Sequence, residues 1–344
     1  MKRIIVAILI LLGFAFAWQM LAVIKIKAVG QPNSTGPLAT QLEQPFFASL
    51  QTNTGLPIEI DFKTVDALGI KDAYQLPMMR DGAFDLVSLR LIQNIPNEIT
   101  LNGLDLIGLN LDFKNARALA YAYFPVVDKR LQERYQVKLL GLWTFGPQQL
   151  FCSKPIRNLS DLKGVKVRVA SEPLAQFLAS LGATPAIIPF EETKIALRDH
   201  LVDCAITSAS SAASAGWLDN VQYYIPITFN TGINAYAITL AKWNLLNKQQ
   251  QETLRKAFDK HTDEMWQFSQ ELYIDQQNCI LNKGLCKQKK YDLVKIDPSP
   301  ADVLYFRDQV KKVSFKEWGE ACNAEYPQCA QEWLKLAGPI ASIE

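Results

Sequence analysis

The sequence has very few of the side chains that enzymes use for acid–base or nucleophilic catalysis. Only two histidines, His200 and His261, occur in its 344 residues, and neither lies in a catalytic motif. The chain also lacks a G-x-S-x-G elbow, an H-E-x-x-H zinc motif and a phosphate-binding glycine loop. We therefore expect no catalytic residues, no cofactor and no metal motif, and a secreted enzyme is only an alternative.

A strong net charge and low-complexity segments are absent as well. Lys and Arg number 36 against 34 Asp and Glu, which gives a net charge of +2. Nucleic-acid-binding proteins usually carry a clear excess of basic residues on one face, so this balance argues against nucleic acid as a partner. The length fits two domains of ordinary size.

Long apolar runs are missing outside the N-terminus. There, Met1-Lys2-Arg3 precedes an apolar stretch over residues 4–16, and an A-x-A sequence ends at Ala17. A short basic region, a brief apolar core and small residues at a cleavage site are typical of a secretory signal peptide. We expect residues 1–17 to be removed near Ala17, with an uncleaved membrane anchor as the alternative.

The six cysteines fit an oxidising compartment. Two pairs share one spacing, with six residues between the partners: Cys279 with Cys286, and Cys322 with Cys329. Structural zinc sites usually place only two to four residues between paired cysteines, so we expect two local disulfides. A third bridge between Cys152 and Cys204 and two buried free thiols are both compatible with the sequence.

One stretch in the middle of the chain predicts a strand with a cationic residue at its end. Val165, Val167 and Val169 alternate with Lys166 and Arg168, and this period of two is typical of a strand. Ligands of open α/β sheets bind beyond the carboxyl ends of the strands. A guanidinium there matches a carboxylate with two parallel hydrogen bonds. The alternative is an ordinary surface arginine on an edge strand.

The stretches D-L-K-G-V-K-V-R-V (161–169), L-G-A-T-P-A-I-I-P-F-E-E (181–192) with Ala196-Leu197, and V-D-C-A-I-T (202–207) resemble the substrate-binding proteins of TRAP transporters. The resemblance to this family (tripartite ATP-independent periplasmic transporters) extends over nearly all of the mature chain, but it is weaker outside these stretches. The resemblance implies a periplasmic protein with two α/β lobes that captures an organic acid. It also implies a clamp for the ligand carboxylate at Arg168, and the membrane subunits of a TRAP transporter as partners.

One position departs from the family pattern and bears on the ligand. Many members carry an arginine two residues after the glycine of T-F-G-P-Q, where this chain has Gln148. Glutamine can donate hydrogen bonds but brings no charge. We therefore expect a small monocarboxylate, with an aromatic neighbourhood formed by Trp143, Phe145 and Trp217.

Further binding residues are predicted at strand ends. The spacing of the first three strands indicates a parallel sheet with helical crossovers, which places Asn33 and Arg90 at one rim. Ser208 begins a run of small residues after a strand, and Asn234 begins the strand that returns to the first lobe. A solvated loop charge is the alternative for Arg90, and a core position is the alternative for Trp217.

A short helix is expected over residues 191–200. Glu192 matches a glutamate of the family, and an acidic residue suits a helix N-terminus, so we expect a capping role before a ligand contact. His200 stands where the family usually has glycine after a helix. Histidine tolerates a left-handed backbone better than most residues, which predicts a helix stop.

A long helix is predicted between residues 247 and 281, which contain no glycine or proline. Apolar residues and one histidine recur at helical spacing: Leu254, Phe258, His261, Met265, Phe268 and Leu272. A helix of this length reaches about 50 Å, which is too long for one lobe. The resemblance implies a spine across both lobes, with His261 packed in its stripe, and a monomer. A coiled-coil oligomer is the alternative.

The predicted fold is therefore α/β, a two-lobed periplasmic-binding-protein-like fold with a long helix across both lobes. Its expected parts are the first lobe (18–143, with a returning strand near 234–240), the second lobe (144–233), the spine helix (241–284) and C-terminal helices on the second lobe (285–344). We expect a solute receptor. A ligand-sensing receptor of an envelope complex is the main alternative.

Overall fold

The computed structural model describes residues 23–109 and 112–343, so the predicted signal peptide lies outside the described residues. The strands are β1 Ile24–Gly30, β2 Ile58–Thr64, β3 Leu86–Leu89, β4 Val137–Thr144, β5 Gln148–Cys152, β6 Lys166–Val169, β7 Thr184–Ile187, β8 Cys204–Ser208, β9 Tyr223–Asn230, β10 Ile233–Thr239 and β11 Val294–Lys295. The α-helices are α1 Gln44–Thr54, α2 Gln75–Arg80, α3 Leu91–Asn94, α4 Phe113–Tyr135, α5 Glu172–Ser180, α6 Thr193–Arg198, α7 Ala209–Ser214, α8 Leu240–Trp243, α9 Lys248–Ile280, α10 Pro300–Gln309, α11 Lys316–Glu325, α12 Cys329–Leu336 and α13 Gly338–Ala341.

The first lobe is built on a five-stranded sheet with the order β2-β1-β3-β10-β4. Strand β1 pairs in parallel with β2 and with β3, as the spacing predicted. Strand β10 is antiparallel to both of its neighbours, β3 and β4. All four residues of β3 are buried because helices cover both of its faces. The loops after β1 and β3 therefore emerge at the same edge of the sheet.

The second lobe is built on a six-stranded sheet with the order β11-β9-β5-β8-β6-β7. Strand β6, which carries Arg168, lies in parallel between β7 and β8 and is not an edge strand. Val167 and Val169 are buried in this lobe's apolar core. The alternation of the sequence therefore places Arg168 on the opposite face of the sheet.

Three disulfides stabilise the described chain. The pairs Cys279–Cys286 and Cys322–Cys329 form as predicted. Cys152 and Cys204 lie directly opposite each other in the pairing of β5 with β8 and also form a disulfide. This settles the alternative that the sequence left open, because free thiols do not occur among the described cysteines.

The long helix α9 spans both lobes, as predicted. Asn247 begins it with a capping box in which its side chain and that of Gln250 accept from each other's backbone N–H. Leu254 and Met265 pack in the core of the first lobe, whereas Ile280 packs in a cluster of the second lobe. His261 is 2% exposed and stacks on Phe46, so it is a packed residue.

The C-terminal segment corrects one prediction. Phe306 of α10 packs into the core of the second lobe, as expected. Helices α11 and α12 instead pack on the first lobe, where Trp318 Nε1 donates to Ile99 O (3.0 Å) and Trp333 Nε1 donates to Gly103 O (2.8 Å). The prediction that the whole segment covers the second lobe is therefore wrong for residues 316–341.

The chain crosses between the lobes beside a buried carboxylate. Asp105 accepts hydrogen bonds from Asn230 Nδ2 (2.7 Å), Thr231 N (3.0 Å) and Ile233 N (3.0 Å). These donors surround the short link between β9 and β10. Asp105 therefore anchors a connection that any relative movement of the lobes must bend. In the ranges that the structure describes, no helix is both long enough and apolar enough to cross a bilayer.

Candidate functional site

The main cavity of the described structure lies between the two lobes. Its volume is about 950 Å³. The first lobe contributes side chains such as Asp72, Arg90 and Ile92, and the second lobe contributes Arg168 and Phe190. A cleft with walls from both lobes is where a ligand can contact both, and its size is within the usual range for ligand pockets.

A smaller chamber of about 60 Å³ adjoins this cavity. The two spaces share a set of lining residues: Arg90, Ile92, Gln93, Arg168, Ala170 and Phe190. We call the large space the outer chamber and the small space the inner chamber. Both arginine side chains thus lie where the two chambers meet.

Arg168 is a buried cation that the protein does not neutralise. It is 2% exposed, its Nε donates to Ile188 O (2.9 Å) and its Nη1 donates to Ile206 O (3.1 Å). Both acceptors are backbone carbonyls, and no described carboxylate lies within ion-pair distance of Arg168, although the charge of Glu191 partly opposes the lowering of its pKa. Burial, together with repulsion from Arg90, lowers the pKa of Arg168 to about 9.

Arg90 is a second buried cation, and it corrects the alternative of a solvated loop charge. It is 4% exposed and directly precedes α3. Its Nε donates to Gln31 Oε1 (2.7 Å) and its Nη1 donates to Asp72 Oδ2 (3.1 Å). Burial raises the pKa of Asp72, and the nearby Arg90 opposes this shift. Arg90 is therefore held in place and partly neutralised, unlike Arg168.

A buried polar network lies behind Arg90. Gln31, which accepts from Arg90, donates from its backbone N to Glu43 Oε2 (2.6 Å). The Tyr236 hydroxyl donates to Glu43 Oε1 (3.1 Å) and lies 3.0 Å from His261 Nε2. Burial raises the pKa of Glu43 to about 7 and lowers the pKa of His261 to about 3. Both groups are therefore close to their neutral forms in mildly acidic solution.

Two further predicted site residues, Gln148 and Asn234, line the inner chamber. Gln148 Nε2 donates to Gly146 O (2.8 Å), and Asn234 Nδ2 donates to Gly232 O (2.9 Å). These bonds fix the orientation of each amide. The inner chamber therefore combines two arginines from opposite lobes with two neutral amides.

Trp217, Ser208 and Asn33 do not line either chamber. Trp217 is fully buried, and its ring lies behind Arg168. Ser208 caps α7 through a hydrogen bond from Ser211 N (3.3 Å). Asn33 is exposed, and its Oδ1 accepts from Gln44 Nε2 (2.6 Å). Trp217 and Ser208 thus support the site from behind, and Asn33 lies away from it.

Glu192 lines the outer chamber, but it does not cap α6 with its side chain. Glu192 does occupy the N-cap position of this helix, where a carboxylate suits the helix dipole, so the expected place at the helix start is confirmed and only the capping hydrogen bond is missing. His200 adopts φ 56°, so the predicted left-handed helix stop is confirmed.

Several residues of the cleft were not among the predicted site residues. Thr35, Thr207 and Ser211 line the inner chamber, and Asp72 and Gln93 line the outer one. Buried Asp72 Oδ1 and Gln93 Oε1 have no hydrogen-bond partner among the described residues. Ser211 belongs to the run of small residues that was noted after a strand, whereas no motif singled out Asp72 or Gln93.

Groups of three or more His, Cys, Asp or Glu side chains that could hold a metal ion do not occur in the part of the chain that the structure describes. The inner chamber combines two guanidinium groups with neutral hydrogen-bonding groups, and the outer chamber has apolar walls and several carboxylates. Two guanidinium groups beside neutral donors suit the binding of an anion.

The chain is similar in sequence to bacterial solute-binding proteins. Residues 70–313 match the model of the family described as DctP, bacterial extracellular solute-binding protein, family 7. A solute-binding protein of Roseobacter denitrificans is 28% identical over 134 residues, which are 38% of this chain and 41% of that protein. The chain thus spans less than half of that relative's length. The C4-dicarboxylate-binding periplasmic protein DctP of Rhodobacter capsulatus is 25% identical over 248 residues, or 70% of this chain and 72% of that protein.

Solved structures share the architecture over almost the whole chain. A TRAP periplasmic solute-binding protein from Desulfovibrio salexigens, with bound orotic acid, superposes with a TM-score of 0.80 at 16% identity. The match covers 92% of this chain and 98% of that chain. At this identity the likeness concerns the fold alone, and it confirms the two-lobed α/β class predicted from the sequence.

Proposed function

This chain belongs to family 7 of the bacterial extracellular solute-binding proteins, and we propose that it is a periplasmic receptor for an organic monocarboxylate. In this proposal the acid binds between the lobes, its carboxylate pairs with Arg168, and the closed receptor delivers it to the membrane subunits of a TRAP transporter. The protein acts as a monomeric receptor and not as an enzyme.

The observation that carries this proposal is the unpaired, buried guanidinium of Arg168 in the cleft. An isolated buried charge costs several kcal/mol unless a partner neutralises it. The Nη2 of Arg168 makes no hydrogen bond to a described residue, while Nε and Nη1 bind backbone carbonyls. A ligand carboxylate supplies both the missing acceptor and the missing charge, and charge-assisted bonds of this kind are the strong ones.

Arg90 supports the same ligand from the opposite lobe. Its charge is partly balanced by Asp72, so it adds less attraction than Arg168 but steers the anion towards the inner chamber. The two arginines, one from each lobe, repel each other. An anion bound between them offsets this repulsion and so stabilises the closed form, in which the lobes lie closer together. Ligand contacts to both lobes thereby favour closure about the crossing segments beside Asp105.

A monocarboxylate fits the charges better than a dicarboxylate. Gln148 contributes a neutral amide where many relatives have arginine, and Arg90 already pairs with Asp72. The related protein of R. capsulatus is described as binding C4-dicarboxylates, and the D. salexigens protein holds orotic acid. We therefore infer that this chain, like its relatives, binds an organic acid, but that the end of its ligand opposite the carboxylate carries no second carboxylate.

A thermal-shift screen against a panel of organic acids tests the proposal. Ligand that binds only the folded state raises the melting temperature, by several degrees at concentrations about a hundredfold above Kd. We expect at least one monocarboxylate to do so, and Arg168→Gln to abolish the shift. The control is Arg198→Gln, because Arg198 is exposed and pairs only with its neighbour Asp199. A shift that persists in Arg168→Gln would refute the clamp, and a panel without any shift would refute the receptor.

A further inference from the structure

The outer chamber has a strongly apolar wall. Seven isoleucines line it, and they come from both lobes. Trp318 and Val313 add apolar surface from the C-terminal segment. One of the isoleucines, Ile187, is 54% exposed although it is a large aliphatic side chain. Exposed apolar surface inside a cleft indicates a place where a ligand buries apolar atoms.

The inner chamber has the opposite character. A cavity needs about 10–15 Å³ to hold one water molecule, and a water occupies about 30 Å³ in the liquid. The inner chamber of about 60 Å³ therefore has room for only a few waters. This is enough for a carboxylate group but not for the body of a larger molecule. The remainder of any ligand whose carboxylate reaches the inner chamber therefore extends into the outer one.

Negative charge is distributed unevenly between the two chambers. Among the described residues that line the inner chamber there is no Asp or Glu. The outer chamber is lined by a set of carboxylates that outnumber its cationic side chains: Asp66, Asp72, Glu172, Glu191, Glu192, Glu317 and Glu325. A second anionic group on the ligand would therefore meet like charge at the far end.

We propose that the ligand is an amphipathic monoanion: a carboxylic acid whose apolar body of about six or more carbon atoms fills the outer chamber and whose far end carries no negative charge. This inference rests on the proposed function, since it assumes that the carboxylate pairs with Arg168. It adds the chemical class of the remaining part of the ligand. The apolar walls supply affinity, and the acidic lining rejects a dicarboxylate of equal length.

A matched series of acids tests this class by isothermal titration calorimetry on the residues that follow the predicted signal peptide. Butanoate and octanoate differ by four methylenes, and suberate is octanoate with a second carboxylate at its far end. Each buried methylene tightens binding about fourfold. We expect octanoate to bind on the order of a hundredfold more tightly than butanoate, and at least about tenfold more tightly than suberate.

A substitution in the apolar wall of the outer chamber tests the contribution of apolar contacts separately from the pairing with Arg168. Ile187→Ser removes apolar surface at an exposed position of β7, and we expect it to weaken octanoate about fivefold and butanoate clearly less. Ile187→Leu restores the apolar surface and should restore octanoate binding. The matched control is Ile195→Ser, because Ile195 is 51% exposed in the same lobe but does not line the cleft.

The outcomes distinguish this inference from the proposed function. Equal affinities for butanoate and octanoate, both lost in Arg168→Gln, would overturn the apolar class and leave the carboxylate receptor standing. Suberate binding as tightly as octanoate would overturn the rejection of a second charge. Failure of every acid in the series and in the wider panel would overturn the proposed function itself.

Discussion

The guanidinium of Arg168 lies over the indole ring of Trp217, with the arginine Cζ 5.0 Å from the ring centroid. The exposed fractions of the two side chains are 2% and 0%. Phe190, which lines both chambers, packs against Trp217 with the two ring centroids 4.8 Å apart. The aromatic ring thus holds a cation that has no carboxylate partner in the described residues.

Substitution of Trp217 should therefore weaken ligand binding, although Trp217 itself does not line the cleft. A desolvated cation–π contact contributes up to about 2 kcal/mol, so Trp217→Leu should lower the affinity for the tightest acid of the panel about ten- to thirtyfold. Trp217→Phe keeps an aromatic face and should stay within about threefold of the unsubstituted protein. Calorimetry measures both, and melting curves establish that each variant is folded. Unchanged affinity in the folded Leu variant would show that the ring does not position Arg168.

The buried carboxyl of Glu43 should lower the free energy of unfolding as the pH rises from weakly acidic to neutral. Burial raises its pKa from 4.5 to about 7. Below pH 4.5 the carboxyl is protonated in both states, but between these values the folded state alone retains the proton, so the free energy of unfolding declines by about 3 kcal/mol.

The test compares Glu43→Gln with the unsubstituted protein in urea at pH 5 and pH 7.5. His261 has the opposite effect, because its lowered pKa gives stability that is lost as pH falls below about 6.5, the ordinary value. It is present in both proteins, so its contribution cancels in the difference. We expect the Gln variant to gain about 2 kcal/mol relative to the unsubstituted protein on going from the lower to the higher pH, because part of the change already lies below pH 5. Parallel pH profiles would contradict a buried, protonated Glu43.

The three disulfides should differ in their contribution to stability. Cys152–Cys204 joins residues separated by 52 positions, whereas each of the two local disulfides spans a separation of 7. Loop-closure entropy predicts about 4 kcal/mol for the long loop and about 2.5 kcal/mol for a short one. Urea unfolding of the double variants Cys152→Ala/Cys204→Ala and Cys279→Ala/Cys286→Ala measures the difference. A larger loss in the second variant would mean that local strain or residual structure outweighs loop length.

Much of the architecture could be predicted because local patterns determine it. The alternation around Arg168 fixed a strand with one buried face, and the stripe from Leu254 to Leu272 fixed a long helix. Equal cysteine spacing identified the two local disulfides. These patterns depend on neighbours within one element, which is the information that a single sequence carries.

Predictions that depended on which distant surfaces meet were less accurate. The C-terminal helices were expected on the second lobe, since no local pattern shows which distant surface covers a helix, and Trp318 and Trp333 pack on the first lobe instead. Arg90 was predicted as a binding residue with a solvated loop charge as the alternative, but the sequence could not show that Gln31 and Asp72 hold it, because these partners come from other segments. Trp217 was expected as a wall of the pocket, and it lies one layer behind, against Arg168.

The affinity of Arg168→Ala for the tightest acid of the panel, measured by calorimetry, shows whether the ligand carboxylate pairs with Arg168. Removing one partner of a buried charge pair costs about 3–5 kcal/mol, so we expect a Kd at least about a hundredfold higher than that of the unsubstituted protein. Arg198→Ala, at an exposed position, should bind normally. A Kd for Arg168→Ala within experimental error of the unsubstituted value would contradict the proposed clamp.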